Sequence, residues 1–487
     1  MSSHALATHL EHPTGRGHTP EDAFTGAAGG GACGDLIRIS LAIDPRDPRG
    51  VIHDAGFDAT GCGAAIAAGS ATVSLIRGSS LLAGARIGAR EISRELGGLS
   101  QPKDHGAQLA ADALHRALGE VARHRARIAP ENGLTLVAMS GGVDSAVAAL
   151  LASQAGLEPV GVTLELWSDP ENDGELSCCS AQAVRSARAV AHSLGMAHFS
   201  IDLRAEFRAG VVEPWLSDHA AGETPNPCVR CNGNVRLDAM LELADRLGCA
   251  TLTTGHYART NEDAQSAKAP LLRIAADEIK DQSYVLAALA PSSLARLRFP
   301  LGHMHKPAVR ELAANAGLAV AAKRDSQDLC FLAGTGQRAF LERHGGITRR
   351  PGPVIDEHGN RLGEHDGQHA YTIGQRRGLG LAGALPMYVL DTDLASNTVT
   401  VGPREQLLAS TVSVRDVTLH RPGACVDAVK VRSRGRRLAC HPLSATAPGT
   451  HERLELELIQ PRERTAPGQL ACLYAGELIV GHGTIAA

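Results

Sequence analysis

The stretch Leu134–Leu151, LTLVAMSGGVDSAVAALL, decides the fold of the middle of this chain. It begins as an apolar strand, continues through the polar turn SGGVDS and ends as a helix rich in Ala, Val and Leu. The glycines of such a turn let backbone N–H groups approach an oxyanion, and the N-terminus of the following helix carries partial positive charge. No lysine follows the glycines, so the turn differs from the GxxxxGK[ST] loop that holds β- and γ-phosphates. The pattern predicts an anion-binding turn between a strand and a helix.

The turn resembles that of the ATP pyrophosphatases, which hold pyrophosphate and release AMP from an adenylated substrate. Beyond it, the sequence predicts strands at 160–167, 198–203 and 250–254, and helices at 181–194 and 237–247. This alternation is typical of a parallel sheet with helices on both faces. Ligands of such sheets bind beyond the carboxyl ends of the strands, where the turn and the motif TGHYAR are both expected.

Length and composition limit the class of protein. At 487 residues, the chain is too long for a single core, so several domains are expected. The net charge of −4 means that any surface for nucleic acid must be local. No apolar run is long enough to cross a bilayer and no export signal begins the chain, so we expect a cytoplasmic protein without a membrane partner. Eleven cysteines then indicate thiols or metal ligands rather than structural disulfides.

The N-terminal region predicts a separate domain. Residues 1–30 are polar and end in glycines, which is typical of a disordered lead. Residues 31–122 alternate predicted strands with helices at 64–76 and 107–121, which favours an α+β domain. The motifs ACGD (32–35) and GCGAAIA (61–67) resemble those of the NifU/IscU-type iron–sulfur scaffolds. In that family, cysteines with a nearby Asp or His hold zinc or a nascent cluster and accept sulfur from a cysteine desulfurase.

The segment 103–106, KDHG, departs from that family, because Gly106 stands where the family has its third cysteine. The resemblance still implies a zinc site, whose N, O and S ligands would be Cys33, Asp35, Cys62 and His105. The alternative is a vestigial domain that is retained for docking or for structure.

Further thiols lie in two polar segments. TPNPCVRCN (224–232) precedes a helix, and DSQDLCF (325–331) contains Cys330. A cysteine near a helix N-terminus and beside Arg230 is expected to have a lowered pKa. The remaining cysteines are expected to be structural or part of the core: Cys178, Cys179, Cys249, Cys425, Cys440 and Cys472.

Six motifs occur in the order found in the bacterial tRNA 2-thiouridylases (MnmA-type tRNA-uridine 2-sulfurtransferases), which the region 134–487 resembles: SGGVDS, TPNPCVRCN, TGHYAR, KDQSYVL, KRDSQDLCF and GQHAYTIGQRRGLG. The resemblance implies ATP-dependent 2-thiolation of the wobble uridine of tRNA through adenylation of the C2 oxygen. A persulfide on Cys330 would attack C2, and Cys231 would release the product and form a disulfide with Cys330. The implied partners are tRNA and a cysteine desulfurase or other sulfur donor; no oligomeric state is implied.

The resemblance also implies binding residues. Contacts with ATP and Mg²⁺ are expected at Ser140, Gly141, Gly142, Val143, Asp144, Ser145, Leu164 and Gly255. Contacts with tRNA are expected at Asn226, Pro227, His256, Lys280, Asp281, Gln282, Arg432, Ser433 and Gln469. The basic run 430–437 and the motif 375–377 both suit phosphate contacts.

The predicted architecture is therefore multidomain. After the NifU/IscU-like domain come an α/β parallel-sheet ATP pyrophosphatase (PP-loop) domain at 130–334, a small central domain at 335–402 and a C-terminal antiparallel β-barrel at 403–487.

Alternatives to the persulfide route remain open. Cys228 stands where some relatives have Asp, and Cys228, Cys231 and Cys330 together could hold three irons of a cubane iron–sulfur cluster. A PP-loop ligase or amidotransferase would need no paired thiols. A sulfur or iron–sulfur carrier would act through the N-terminal domain, and Gly106 weighs against that reading.

Overall fold

The computed structural model of the chain describes residues 4–29, 34–100, 103–169, 181–261, 269–325, 329–332, 335–381 and 386–486. The chain divides into two compact units. The first comprises Met1–Arg204, Asp238–His256 and Arg296–Phe331, and the second comprises Ala205–Leu237, Tyr257–Ala295 and Leu332–Ala487.

Fifteen α-helices and twenty strands occur among the described residues. The helices are α1 His4–Glu11, α2 Gly63–Ile76, α3 Leu81–Gly84, α4 Ala89–Glu95, α5 Asp104–His124, α6 Val143–Gln154, α7 Ala181–Ser193, α8 Arg204–Phe207, α9 Glu213–Ala220, α10 Pro227–Arg230, α11 Leu237–Arg246, α12 Ser283–Leu286, α13 Pro291–Arg296, α14 Lys306–Asn315 and α15 Gln337–Gly345. The strands are β1 Phe24–Gly29, β2 Leu36–Ile43, β3 Ile52–Thr60, β4 Leu134–Ala138, β5 Glu158–Glu165, β6 Ala197–Asp202, β7 Thr251–Thr254, β8 Arg259–Thr260, β9 Leu272–Arg273, β10 Leu297–Arg298, β11 Gly352–Ile355, β12 Arg361–His365, β13 Tyr388–Asp393, β14 Thr398–Gly402, β15 Leu408–Leu419, β16 Ala428–Lys430, β17 Leu438–Pro442, β18 Gly449–Glu463, β19 Leu470–Ala475 and β20 Leu478–Ile485. Every helix in these described ranges is too short or too polar to cross a bilayer.

The first unit begins with an α+β domain. Its antiparallel sheet has the order β1-β2-β3, and helices α2 and α5 pack on it. The expectation that residues 1–30 are a disordered lead is wrong, because α1 and β1 lie within them and Leu6 is buried. The sequence of β1 is FTGAAG, and its small residues do not show the β-branched and aromatic pattern that predicts a strand. They are small because α5 lies close: a Cβ atom on Gly26 would lie 2.2 Å from the Ala113 carbonyl oxygen.

The same unit contains the predicted parallel sheet, with the strand order β10-β7-β4-β5-β6. Every neighbouring pair in it is parallel. Strand β4 is central and all five of its residues are buried, as expected for a parallel sheet that is covered on both faces. The α/β fold class predicted from the alternation of strands and helices is therefore confirmed.

The N-terminal domain covers the edge of this parallel sheet. On the outer side of β6, the amide N–H of His198 donates to the Ala85 carbonyl (3.0 Å), and the His198 carbonyl accepts from His115 Nδ1 (2.9 Å). Arg123 of α5 donates to the carbonyl of Asp202 (2.6 Å), at the end of the same strand. These contacts supply partners for backbone groups that an edge strand leaves unpaired.

A buried ion pair stabilises the same interface. Asp112 of α5 accepts hydrogen bonds from Arg188 and Arg185 of α7, and the Arg188 side chain is only 6% exposed. Gly119 of α5 allows this helix to pack directly against β6, because a Cβ atom at this position would lie 2.0 Å from the Ser200 carbonyl oxygen. The N-terminal domain and the parallel sheet therefore share one core.

The second unit contains two β structures. A four-stranded sheet has the order β12-β11-β14-β13 and a core built on Val354, Val389 and Val399. Strands β15, β18, β17, β16, β19 and β20 form an antiparallel barrel, which is closed where β15 pairs with β20. The predicted C-terminal barrel is therefore confirmed, and the hairpin β8–β9 joins it through the pairing of Arg273 with Leu478.

Candidate active site

The SGGVDS turn lies between β4 and α6, as the sequence predicts. Gly141 has a φ of 69°, a conformation that favours glycine. The Ser145 hydroxyl accepts from the backbone N–H of Ser140 (3.2 Å) and donates to the Gly142 carbonyl (3.1 Å). The turn is thus held from within, and the first N–H groups of α6 lie beside it, where an anion would be stabilised.

Gly255 lies beside the start of α6. It follows β7, whose last residue Thr254 is paired with Ala138 at the end of β4. A Cβ atom on Gly255 would lie 2.8 Å from both the Asp144 carbonyl carbon and the Ser145 nitrogen, so only glycine fits here without a shift. The strand ends thereby bring the turn and Gly255 together at one edge of the sheet.

The other two residues predicted near this edge are Leu164 and His256. Leu164 is buried in β5, next to β4 in the sheet. His256 follows Gly255, and its Nδ1 lies 2.9 Å from the Thr254 hydroxyl.

A network of charged residues surrounds the turn. The Nζ of Lys306 lies 2.7 and 2.8 Å from the carboxylate oxygens of Asp144 and 2.9 Å from Asp325. Arg310 also donates to Asp325 (2.7 Å), and Lys323 donates to the Gly141 carbonyl (2.9 Å).

Sequence reasoning missed Lys306. Lys306 is the first residue of α14, where the partial positive charge of the helix N-terminus disfavours a cation. This unusual position was the one feature of the sequence that could have indicated a special role for Lys306.

Cys330 belongs to the same unit as the turn and is half-buried. The next residue, Phe331, is 3% exposed, and its ring meets that of Trp167 edge-on at 6.5 Å. Trp167 lies just past the carboxyl end of β5. The thiol segment is therefore anchored beside the edge of the sheet that carries the turn.

A second group of donor atoms lies in the N-terminal domain. Asp35, Cys62 and His105 offer donor atoms within 4.8 Å of one another. Asp35 Oδ2 accepts from the Cys62 thiol (3.0 Å) and lies 2.9 Å from His105 Nε2. The hydrogen bond from Cys62 lowers the pKa of Asp35, while burial and the Asp35 carboxylate raise the pKa of the Cys62 thiol. Cys33, the fourth ligand predicted, lies outside the described residues.

Gly106 follows His105 and packs against the start of α2. A Cβ atom there would lie 2.9 Å from the carbonyl carbon and oxygen of Ala64. The two helices therefore leave no room for a cysteine at this position without a backbone shift.

In the second unit, Cys228 and Cys231 lie one helical turn apart. Asn226 is the N-cap of α10, and its side chain accepts a hydrogen bond from the Cys228 N–H (3.1 Å). The prediction of a lowered pKa is wrong for Cys228: burial raises the pKa of its thiol, and Arg236 offsets this only in part. Arg230 forms an ion pair with Asp218 (2.9 Å).

Several residues predicted to contact tRNA have roles within the second unit. The Asp281 carboxylate accepts from the N–H groups of Ala275 (3.0 Å) and Ser283 (3.3 Å), and from the Ser283 hydroxyl (2.9 Å). Lys430 lies 3.7 Å from Asp281 and is 9% exposed, so it does not belong to the exposed basic run in which the sequence placed it. Gln282 accepts from the Tyr257 N–H (3.0 Å), and Lys280 is partly exposed.

The segment that carries the two cysteines is tied to the barrel. The Gln469 amide donates to the Thr224 carbonyl, and the Thr224 N–H donates to the Pro467 carbonyl (2.9 Å). Pro227 is buried. In contrast, five side chains of the basic run from 432 to 437 are exposed: Arg432, Ser433, Arg434, Arg436 and Arg437.

The eight cysteines in the described ranges are all free, so the structure does not support a disulfide. Cys249, Cys440 and Cys472 are buried as predicted, and burial raises the pKa of each thiol to about 12. Cys425 is exposed, so its assignment to the core is wrong. Cys178 and Cys179 lie outside the described residues.

Four family models match the chain. They are described as the NifU-like N terminal domain (residues 2–127), the tRNA methyl transferase HUP domain (134–334), the tRNA methyl transferase PRC-barrel domain (338–403) and the aminomethyltransferase beta-barrel domain (406–485).

Relatives match over the same regions. The tRNA-specific 2-thiouridylases MnmA of Roseiflexus castenholzii and Beutenbergia cavernae are 40% and 44% identical over 72% of this chain, which covers 98% and 94% of those proteins. The bifunctional protein NifU/MnmA of Rubrobacter xylanophilus is 40% identical over 98% of this chain and 97% of its own length. Fold and sequence thus place the region 134–485 with the tRNA-specific 2-thiouridylases MnmA. Because the match includes the N-terminal domain, the chain belongs to the bifunctional NifU/MnmA family.

Proposed function

We propose that the protein transfers sulfur to C2 of the wobble uridine of tRNA in an ATP-dependent reaction. The observation that carries this proposal is the pairing, within one compact unit, of the SGGVDS turn with the anchored segment of Cys330. A nucleotide-activating turn, together with a thiol in the same unit five residues after Asp325 of the charged network, suits a reaction that first activates a carbonyl and then replaces its oxygen by sulfur.

The first step is adenylation. The C2 oxygen of uridine is a poor leaving group, and its attack on the α-phosphate of ATP forms a C2–O–AMP linkage and releases pyrophosphate. The turn 140–145 and the start of α6 would hold the pyrophosphate. Asp144 would hold Mg²⁺, which neutralises phosphate charge, and Gly255 lets the end of β7 approach the start of α6 beside the turn.

The second step is sulfur transfer. The terminal sulfur of a persulfide on Cys330 attacks C2, the C2–O bond breaks and AMP leaves. The thiolate of Cys231 then attacks the Cys330 sulfur, which leaves the second sulfur on the uridine and joins Cys231 to Cys330 as a transient disulfide. A thiol reductant must restore both cysteines. Because Cys231 is buried, we expect it to become accessible only when tRNA is bound.

The N-terminal domain would support sulfur supply. The donor set Asp35, Cys62 and His105 suits Zn²⁺, whose usual ligands are N, O and S atoms. With zinc bound, the site would offer a docking point for a cysteine desulfurase or another sulfur donor in the cytoplasm. The exposed arginines of the run 432–437 would contact the phosphates of tRNA.

The test is a thiolation assay on the full chain with tRNA, Mg·ATP, cysteine and a cysteine desulfurase. Cys330→Ser should release pyrophosphate but form no 2-thiouridine, as measured by mass spectrometry of digested tRNA. Cys425→Ser is the matched control, because Cys425 is also a free and accessible thiol, and it should behave as wild type. Normal thiolation by Cys330→Ser would refute the persulfide step.

A cubane cluster on Cys228, Cys231 and Cys330 is the competing route for the same reaction. Cys228 and Cys231 lie one turn apart on one segment, which is the observation that favours it. Anaerobic purification with iron and sulfide analysis separates the two routes. Stoichiometric iron that is lost in Cys228→Ala supports the cluster, whereas iron-free protein that still thiolates tRNA supports the persulfide.

A further inference from the structure

Lys306 is a buried cation that joins two segments far apart in the sequence. Its side chain is 9% exposed, and its ammonium group lies within 2.9 Å of carboxylate oxygens of both Asp144 and Asp325. Asp144 belongs to the turn that would hold pyrophosphate. Asp325 belongs to the segment that leads to Cys330. One ammonium group therefore bridges the residues assigned to the two halves of the reaction.

The contacts of Lys306 with its two carboxylate partners differ. Asp325 has a second cation, since Arg310 donates to its Oδ1 (2.7 Å). Arg310 also donates to the carbonyls of Ala321 (2.9 Å) and Lys323 (3.0 Å), so it fixes this segment independently. For Asp144, Lys306 contacts both carboxylate oxygens. Lys306 thus compensates the charge of the turn while it remains attached to the thiol segment.

A second lysine ties the same two segments together. Lys323 donates to the carbonyl of Gly141 (2.9 Å), at the other end of the turn. A shift of the turn on binding Mg·ATP would therefore act on the segment 320–325 at two points. Hydrogen bonds that involve charged groups are stronger than neutral ones and hold a preferred geometry.

We infer that Lys306 is a positioning residue that couples occupancy of the nucleotide turn to the state of Cys330. When Mg²⁺ and pyrophosphate bind, Asp144 must share its oxygens between the metal ion and Lys306, and the change is passed to Asp325 through the same ammonium group. This inference rests on the function proposed above and adds a residue that carries the coupling between its two steps.

The experiment measures the reactivity of Cys330 in the full chain with iodoacetamide, by peptide mass spectrometry, with and without Mg·ATP. The alkylation of Cys425 in the same molecules is the internal reference. In wild type, Mg·ATP should change the Cys330 alkylation rate by about fivefold or more, the usual range of coupling between sites. Lys306→Met should abolish this difference, and Lys306→Arg should restore part of it. Glu311→Gln, an exposed position on the same helix, should behave as wild type.

Two results would overturn the inference. One is a wild-type Cys330 whose reactivity does not respond to Mg·ATP. The other is a Lys306→Met protein that keeps the response. Should Lys306→Met fail to fold, Asp325→Asn breaks the same bridge from the other side and should give the same loss. Thiouridine formation by wild type is measured in parallel, so that failure of the coupling is distinguished from failure of the proposed function.

Discussion

Replacing Asp112 by Ala should destabilise both the N-terminal domain and the parallel sheet. The Asp112 and Arg188 side chains are only 12% and 6% exposed, so the change leaves a guanidinium group buried without its carboxylate. Removing one partner of a buried ion pair typically costs about 3–5 kcal/mol. Arg185 is 41% exposed and can turn to solvent, so it adds little to this loss.

The assay is urea unfolding of the full chain, together with hydrogen exchange of the peptides that contain α5 and β6. For a unit of this size, about 3–5 kcal/mol corresponds to a Tm lower by roughly 6–20 °C. Faster exchange should appear in both peptides, because α5 covers β6.

Glu120→Ala is the matched control on the same helix. Glu120 forms an exposed pair with His124, and such pairs contribute about 0–1 kcal/mol. If Asp112→Ala unfolds at the same urea concentration as Glu120→Ala, the reasoning about the interface is refuted. The double variant Asp112→Ala/Arg188→Met should recover part of the loss, since it removes the buried charge.

Four further outcomes follow from the structure. Gly106→Cys should lower the free energy of unfolding by about 1–3 kcal/mol, because its Cβ meets the backbone of α2; an unchanged urea midpoint would show that the helices can separate. Gly255→Ala should reduce AMP formation by tenfold or more and lower the free energy of unfolding by about 1–3 kcal/mol, since its Cβ displaces the start of α6; wild-type AMP formation would contradict this. Arg434→Ala should reduce by about one the slope of log affinity for tRNA against log salt concentration, and an equal slope would mean that no phosphate contact was lost. Burial lowers the pKa of His219 to about 4, below its usual value of 6.5, so its contribution to stability is complete above pH 6.5 and is lost as the pH falls towards 4. Between pH 6.5 and 5 that loss is about 2 kcal/mol, and His219→Phe should remove it from the measured pH dependence of unfolding.

Local sequence patterns predicted the parts of the fold that short segments specify. The strand, turn and helix around residue 140 follow from one run of apolar residues and two glycines. Gly255 could be placed near the turn, because the carboxyl ends of parallel strands share one edge of the sheet, whereas the resemblance alone indicated Leu164.

Features that depend on distant residues could not be read in this way. Lys306 and Asp144 are separated by 162 positions, and nothing near either residue indicates the other. Asp112 and His115 look like polar positions on a helix, yet they lie at a buried interface. The pKa of Cys228 was predicted from its helix and a nearby arginine, whereas burial by other segments determines its direction.

Helix α5 links the stability of the N-terminal domain to that of the parallel-sheet domain. His105, which with Asp35 and Cys62 offers donor atoms for a metal ion, lies in the first turn of α5. The rest of the helix covers β6, the outer strand of the parallel sheet. A metal ion present at a hundred times its dissociation constant adds about 2.7 kcal/mol to the stability of whatever unfolds with its site. Chelation of an ion bound there would thus weaken the parallel-sheet domain as well, although Asp35, Cys62 and His105 all lie in the N-terminal domain.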